Sequence, residues 1–379
     1  MTKRDPRVRE LRRAGGWKKQ LYDILREHGG FRAPTSRARS ARNGRTRAAV
    51  GLATQDRREE VLFRLFARLR ELGYKIEYVR NITVKHVSAL ALDMEAAGLS
   101  ASTIQNSCSH LRVFGHWIGK PWLVGDARQY VRDPERVKRH YAATADKSWR
   151  TNGVDLQEVL RQVSLYDERA GIILEVIAAF GLRRREGLAL RPHLADEKDT
   201  LLVKHGTKGG RPRQVPIDSE RKRAALERAK AVCGSVNTHL GWGGLSMSQS
   251  DNKLEHILRK FGLTRAGKGV TLHGLRAEYA CDALEKRGVT PPVRGGDFTQ
   301  GPKDVREAAC LAVGDELGHG RTGVMTAYTG AVRSRQPAPP VRGAPRPTVT
   351  PCAAPTGQIA IPGTPAANDP EPGSERDAA

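Results

Sequence analysis

Asp315-Glu-Leu-Gly-His-Gly-Arg-Thr-Gly-Val-Met-Thr-Ala-Tyr328 is the stretch from which the rest of the chain is best read. Gly318 is placed to stop one helix, because glycine enters the left-handed conformation that closes a helix without steric cost. His319 then falls in the turn, and a short second helix carries Tyr328 nine residues further on. A histidine near a tyrosine is commonplace. The pair gains meaning only if earlier segments bring cations able to hold an anion beside the phenol.

The composition points the same way. Lys and Arg number 65 against 41 Asp and Glu, a formal charge of +24 on 379 residues. That excess exceeds what solubility asks for and reads as a polyanion-binding surface, with nucleic acid the first candidate. Five cysteines (Cys108, Cys233, Cys281, Cys310, Cys352) are odd in number, scattered and without a Cys-x-x-Cys pair. A reduced, cytosolic chain with no structural zinc is the expectation. No apolar run reaches the length of a membrane span, and the N-terminus lacks an apolar signal core. A soluble protein of the cytoplasm, lying with the nucleoid if its polyanion is DNA, is therefore expected.

Composition and periodicity divide the chain into five parts. Residues 1–53 are a basic arm: fifteen Lys/Arg against four Asp/Glu in the first 50 residues, with a short helix over Gly16–His28 around Leu21 and Leu25. The run Arg37–Arg47 has no apolar period and suits contact with DNA phosphates. Residues 54–124 show helical spacing in three segments. Val61, Leu62, Leu65, Leu69 and Leu72 mark the first, Val87, Leu90 and Met94 the second. Ile104, Cys108, Leu111, Phe114 and Ile118 mark the third, with Ser100 or Ser102 as its cap. His110, Arg112, His116 and Lys120 are expected on the exposed faces, where as a group they could touch phosphate. Residues 125–148 read as a polar linker. Residues 149–335 form a second, mostly helical domain with a small antiparallel sheet, in which Leu201–Lys204 and Gln214–Ile217 flank the turn Gly206-Thr-Lys-Gly-Gly210. Residues 336–379 hold eleven of the 21 prolines and no core-forming pattern, as expected of a disordered tail.

Three motifs in the second domain supply the missing cations. In Gly181-Leu-Arg-Arg-Arg-Glu186 a helix stops and restarts. Taken alone, its arginines read as a solvated face. His273-Gly-Leu-Arg276 opens another helix, and one turn brings both cations toward one point, where free N–H groups also favour an anion. Lys208 sits in the hairpin turn, able to swing over a ligand.

Gly-Leu-Arg-x-x-Glu, a hairpin Lys before Val-Pro, His-x-x-Arg and Leu-Gly-His-x8-Tyr occur here in that order. The ordered set resembles the catalytic domain of the tyrosine recombinase (phage integrase) family, and the helical segment before it is similar to that family's core-binding domain. The resemblance covers about residues 54–330. It implies a mainly α fold and a site-specific DNA recombinase that needs neither metal nor other cofactor. In that likeness Arg183 and Arg276 are the two catalytic arginines, and Glu186 supports the arginine and histidine without reacting. Lys208, eight residues before Pro216, is the general acid, with Lys204 as the fallback. His273 is the base, His319 holds the scissile phosphate and Tyr328 is the nucleophile. The partners implied are double-stranded DNA and three further copies of the chain, a homotetramer on two DNA sites, with no membrane.

Tyr279 is the nearest rival nucleophile, but its neighbours Ala280 and Leu284 suggest core packing. His205 reads as a surface or strand residue, His193 and His256 as structural, and Arg184 and Arg185 as DNA-backbone or surface contacts. Arg276 and His319 stand 43 residues apart, farther than the family's usual spacing. The excess is assigned to an insertion around Gly288–Lys303, a Pro/Gly-rich loop expected to cover DNA or meet a neighbouring subunit. Two other readings remain open: relaxation of supercoils, as in type IB topoisomerases, and a DNA-binding protein that has lost the reaction.

Overall fold

Apolar residues at helical spacing build two separate cores in the computed structural model, which describes residues 16–28, 38–39, 49–50, 52–319 and 322–331. The run Arg37–Arg47 and the tail 336–379 lie largely or wholly outside these residues.

The first core belongs to a helical body. Helix α1 (Gly16–His28) is followed by the two-residue strands β1 (Ala38–Arg39) and β2 (Ala49–Val50), which pair antiparallel. Then come α2 (Leu52–Glu71), α3 (Val84–Ala96) and α4 (Ala101–Trp117). The expected faces are the buried ones: Leu62 and Leu69 on α2, Leu90 on α3, Leu111 and Phe114 on α4 are all at most 1% exposed. Ser100 caps α4, its hydroxyl accepting from Thr103 N at 3.3 Å. α1 buries Leu21 and Leu25 in this same core, and Trp17 stacks on Phe66 with ring centroids 6.2 Å apart. Among the described residues four α-helices therefore build the body, and part of the basic arm is built into it.

The linker is divided too. Ala127, Tyr130 and Val137 are buried in the helical core, and Glu95 accepts backbone N–H bonds from Arg132 and Asp133 at 2.8 and 3.0 Å. Charged residues between these apolar ones conceal the pattern in the sequence. By Ala143 the chain has reached the second body, where its N–H donates to Thr326 O at 2.8 Å.

The second body starts from Trp149, fully buried, whose indole N–H donates to Thr271 O at 2.7 Å. α5 (Leu156–Tyr166) and α6 (Glu168–Phe180) follow, and α6 is apolar on almost every side because α5 and two later helices pack around it. Next are α7 (Arg184–Ala189), α8 (Pro192–Ala195) and the hairpin of β3 (Thr200–Val203) and β4 (Arg213–Pro216), paired Leu201 to Val215. α9 (Glu220–Cys233), α10 (Met247–Lys260), α11 (Leu272–Glu285), α12 (Lys303–Glu316) and the short α13 (Thr326–Thr329) complete it. No helix among the described residues is long and apolar enough to cross a membrane.

The Pro/Gly-rich loop after α11 is anchored to its own chain, at least through its first half. Arg294 reaches Asp146 at 3.0 Å, Asp282 at 2.6 Å, Glu285 at 2.7 Å and the Ser148 hydroxyl at 3.0 Å. Pro292 and Val293 lie against Gly330, two residues past Tyr328. Arg294 thus ties the end of the linker to α11 beside the tyrosine helix.

Leu21→Ala is expected to destabilise the protein by about 2–5 kcal/mol, the usual cost of truncating a buried leucine, as read by denaturant melts. An unchanged melt would detach α1 from the core. Arg294→Ala strands the nearly buried Asp146 carboxylate, and its expected cost is about 3–5 kcal/mol. A loss below roughly 1 kcal/mol, the scale of a surface pair, would show that the anchor is not structural.

Candidate active site

Two helix ends make the floor of the site. α6 stops at Gly181, whose φ of +59° is left-handed, and a Cβ there would meet the Tyr279 ring at 2.6 Å. α12 ends at Leu317 and Gly318, with φ +68° at Gly318, where a Cβ would lie 2.9 Å from the Arg213 side chain. Both positions require glycine for conformation and for space. The last carbonyls of a helix have no partner within it and carry its negative dipole end. Here those of Gly181 and Leu317 point at one cation, Arg276.

Arg276 comes from the first turn of α11 and is fully buried. Its guanidinium donates to Gly181 O at 2.6 Å and to Leu317 O, and its Nε donates to Tyr328 Oη at 3.1 Å. His319 Nε2 stands 3.4 Å from the same guanidinium and 3.1 Å from Tyr328 Oη. The phenol oxygen therefore sits between the second arginine and the turn histidine. The ring of His273 lies 5.4 Å from the Tyr328 ring, centroid to centroid.

Arg183 caps α7 on the other side of Leu317. Its NH1 meets Glu186 at 2.7 Å and its NH2 reaches Leu317 O at 3.4 Å. With 23% of its side chain exposed, it remains open to a ligand. Glu186 is fully buried and is gripped by Arg213 as well, at 2.9 and 2.7 Å. Burial alone would raise the Glu186 pKa, but Arg213 and Arg183 overcome it and bring it to about 2. The carboxylate is a fixed anion that holds cations in place.

Arg213 is the residue that the motif reading missed. It also donates to Glu316 O at 2.7 Å, so it joins β4, α7 and the end of α12. The signal was present: alternation along β4 puts Arg213 on the same inward face as Val215.

These cations set the histidines. Burial, then the charges of Arg276, Arg183, Arg213 and Lys208, lower the His319 pKa to about 4. Loss of surrounding water, then Arg276, Lys147 and Arg183, hold His273 below the ordinary histidine value, although the residue as a whole is exposed. Both imidazoles are neutral near pH 7 before a ligand arrives.

Lys208 is exposed in the hairpin turn and, among the described residues, makes no hydrogen bond or ion pair; only its charge reaches His319. Lys204 is exposed in the same hairpin. Tyr279 is buried and donates to Glu316 at 2.6 Å, and burial and that carboxylate push its pKa up. Arg184 is held by Asp251 and Glu255. His205 and His256 are exposed, and His193 contacts Lys230 O. Arg183 and His273 share a groove with Thr264 and Arg265, so the cluster opens on a basic surface.

The "Phage integrase, N-terminal" profile matches residues 46–124 and the "Integrase" profile matches residues 140–282. The latter stops short of His319 and Tyr328, whose assignment rests on order and geometry. No curated protein matches the sequence. Among solved structures, the lambda integrase(75-356) dimer bound to a COC' core site is 14% identical with a TM-score of 0.51, covering 85% of this chain and 97% of that one. The lambda integrase tetramer bound to a Holliday junction is 13% identical with a TM-score of 0.51, covering 86% and 81%. At such identities the likeness is one of fold. The two profiles together span more than half of the sequence and fall on its two bodies. The chain belongs to the phage integrase family of tyrosine recombinases, site-specific enzymes that cut and rejoin DNA.

Proposed function

We propose that Tyr328 is the nucleophile of this recombinase and that Arg183, Arg276 and His319 hold the scissile phosphate while it is attacked. The observation that carries this reading is the place of Tyr328 Oη, 3.1 Å from Arg276 Nε and 3.1 Å from His319 Nε2. Guanidinium groups offer paired planar donors to the non-bridging oxygens, where charge grows in the transition state. Glu186, clamped by Arg183 and Arg213, keeps that geometry without reacting.

A phenol with a pKa near 10 is a weak nucleophile and requires a base. His273, neutral and beside the ring, takes its proton. The tyrosine oxygen bonds to phosphorus, the bond from phosphorus to the 5′ oxygen breaks, and Lys208 swings in to protonate that oxygen. The products are a 3′-phosphotyrosyl link and a 5′-hydroxyl. Attack by the 5′-hydroxyl of a partner strand reverses the step, and the covalent link conserves the phosphodiester energy throughout. Exchange between two duplexes takes four cuts, so a homotetramer on two DNA sites is the working assembly. The fold shared with the lambda integrase tetramer supports this state. The helical body and the catalytic body would clamp the duplex between them. Integration or excision of a mobile element is the role such chemistry serves, acting on the nucleoid within the cytoplasm.

A nicked suicide duplex carrying the attachment site tests the nucleophile. The native chain should trap a covalent adduct, and Tyr328→Phe should lower its formation by at least roughly a thousandfold; an undiminished adduct would move the nucleophile elsewhere. The pH dependence tests the histidines. At subsaturating enzyme the acid limb reports the free protein's pKa values, ordinarily near 6.5 for a histidine. Because His273 and His319 are held lower, their neutral forms persist to more acidic pH. The rate should fall only below that value, and half-loss at or above it would contradict the assignment.

A further inference from the structure

We propose that Arg58, seated against Trp117, holds a backbone phosphate of the DNA on the helical body, an inference that rests on the recombinase reading. Arg58 lies on the core side of α2, one turn before Val61 and Leu62, and is only 8% exposed. Its guanidinium carbon is 5.3 Å from the centre of the Trp117 ring. Among the described residues it makes no ion pair and no hydrogen bond, and its Nε is buried without a partner.

That state sets it apart from the other buried cations. Arg213 has Glu186, Lys222 has Asp218, and Arg276 has two helix-end carbonyls. A buried charge with no partner is destabilising, and such groups are normally paired. Burial holds its pKa below the ordinary arginine value. Arg57 is already paired with Glu60 at 2.7 Å, and Arg64 is exposed with no ion pair among the described residues. On α4, His110 is driven down to a pKa of about 4 by burial and by Arg58, Arg57 and Arg64. The charges of Arg58, Arg57 and Arg64 on α2 therefore converge on the His110 side of α4.

An anion is the missing part, and a phosphodiester fits best. The guanidinium rests by the Trp117 ring, as in a cation–π contact, and a guanidinium offers planar donors that suit the oxygens of a phosphate. The chain's +24 charge favours nucleic acid over an acidic protein partner. Arg58 also lies within the residues matched by the N-terminal integrase profile.

Arg58→Met keeps the aliphatic stem on Trp117 and removes the charge. In the DNA-free full chain its melting temperature should equal or exceed that of the native protein, because an unpaired buried charge is gone. Affinity for a fluorescent random-sequence duplex should fall roughly tenfold to a hundredfold. The slope of log affinity against log salt should become shallower by about one, the signature of one lost phosphate contact. Arg58→Lys, which keeps the charge, should restore that slope. A lower melting temperature with an unchanged salt slope would make Arg58 a structural residue and overturn the proposal, as would a slope that Arg58→Lys leaves shallow. Binding needs no chemistry, so a native chain that binds DNA without forming the Tyr328 adduct would refute the catalytic reading and leave this one standing.

Discussion

The burial of the Arg276 guanidinium is the constraint on which the catalytic body depends. A charge with no exposed surface must be compensated where it lies, and here the ends of α6 and α12 do so through Gly181 O and Leu317 O. Two helices must therefore stop at the right places, which explains the left-handed glycines at 181 and 318. Once they stop there, Arg183 and His319 emerge from the same two turns and face the same space. The position of Tyr328 follows from the donors left over after the carbonyls are satisfied.

Positive charge in the site is kept in place by one buried carboxylate and several carbonyls. Glu186 binds Arg183 and Arg213 together, and Arg213 continues to Glu316 O, so β4, α7 and α12 share one network. Burial first, and then the charges of Arg276 and Arg183, hold both histidines below their ordinary value. An incoming phosphate would be the counterion that this arrangement lacks. On the helical body Arg58 differs from these arginines, since it has no ion pair among the described residues.

Much of this was legible in the sequence because its signals are local. Periodicity in Leu62, Leu65 and Leu69, the cap at Ser100, the hairpin around Lys208 and the helix stop at Gly318 each involve neighbours a few residues apart. The ordered motifs added the identity of the cluster. What local reading passed over were residues whose partners are distant. The linker looked polar because Ala127, Tyr130 and Val137 are spaced among charges, and only the helical core makes them apolar contacts. α1 looked like part of a loose arm because its burial depends on Phe63 and Phe66, some forty residues later.

The sequence by itself determined the elements, their order and the residue types proposed for the reaction: two arginines, two histidines, a lysine and a tyrosine. Tertiary structure alone decided which of these meet. Arg276 and Tyr328 are 52 residues apart, and Arg183 and Leu317 are 134 apart, yet each pair is in contact. It also brought in Arg213, left Lys208 at the rim, and turned the loop after α11 back onto its own chain through Arg294. The physical reason is that helix and turn formation respond to near neighbours, whereas burial of charge is resolved by whichever carbonyl or carboxylate the packing brings close.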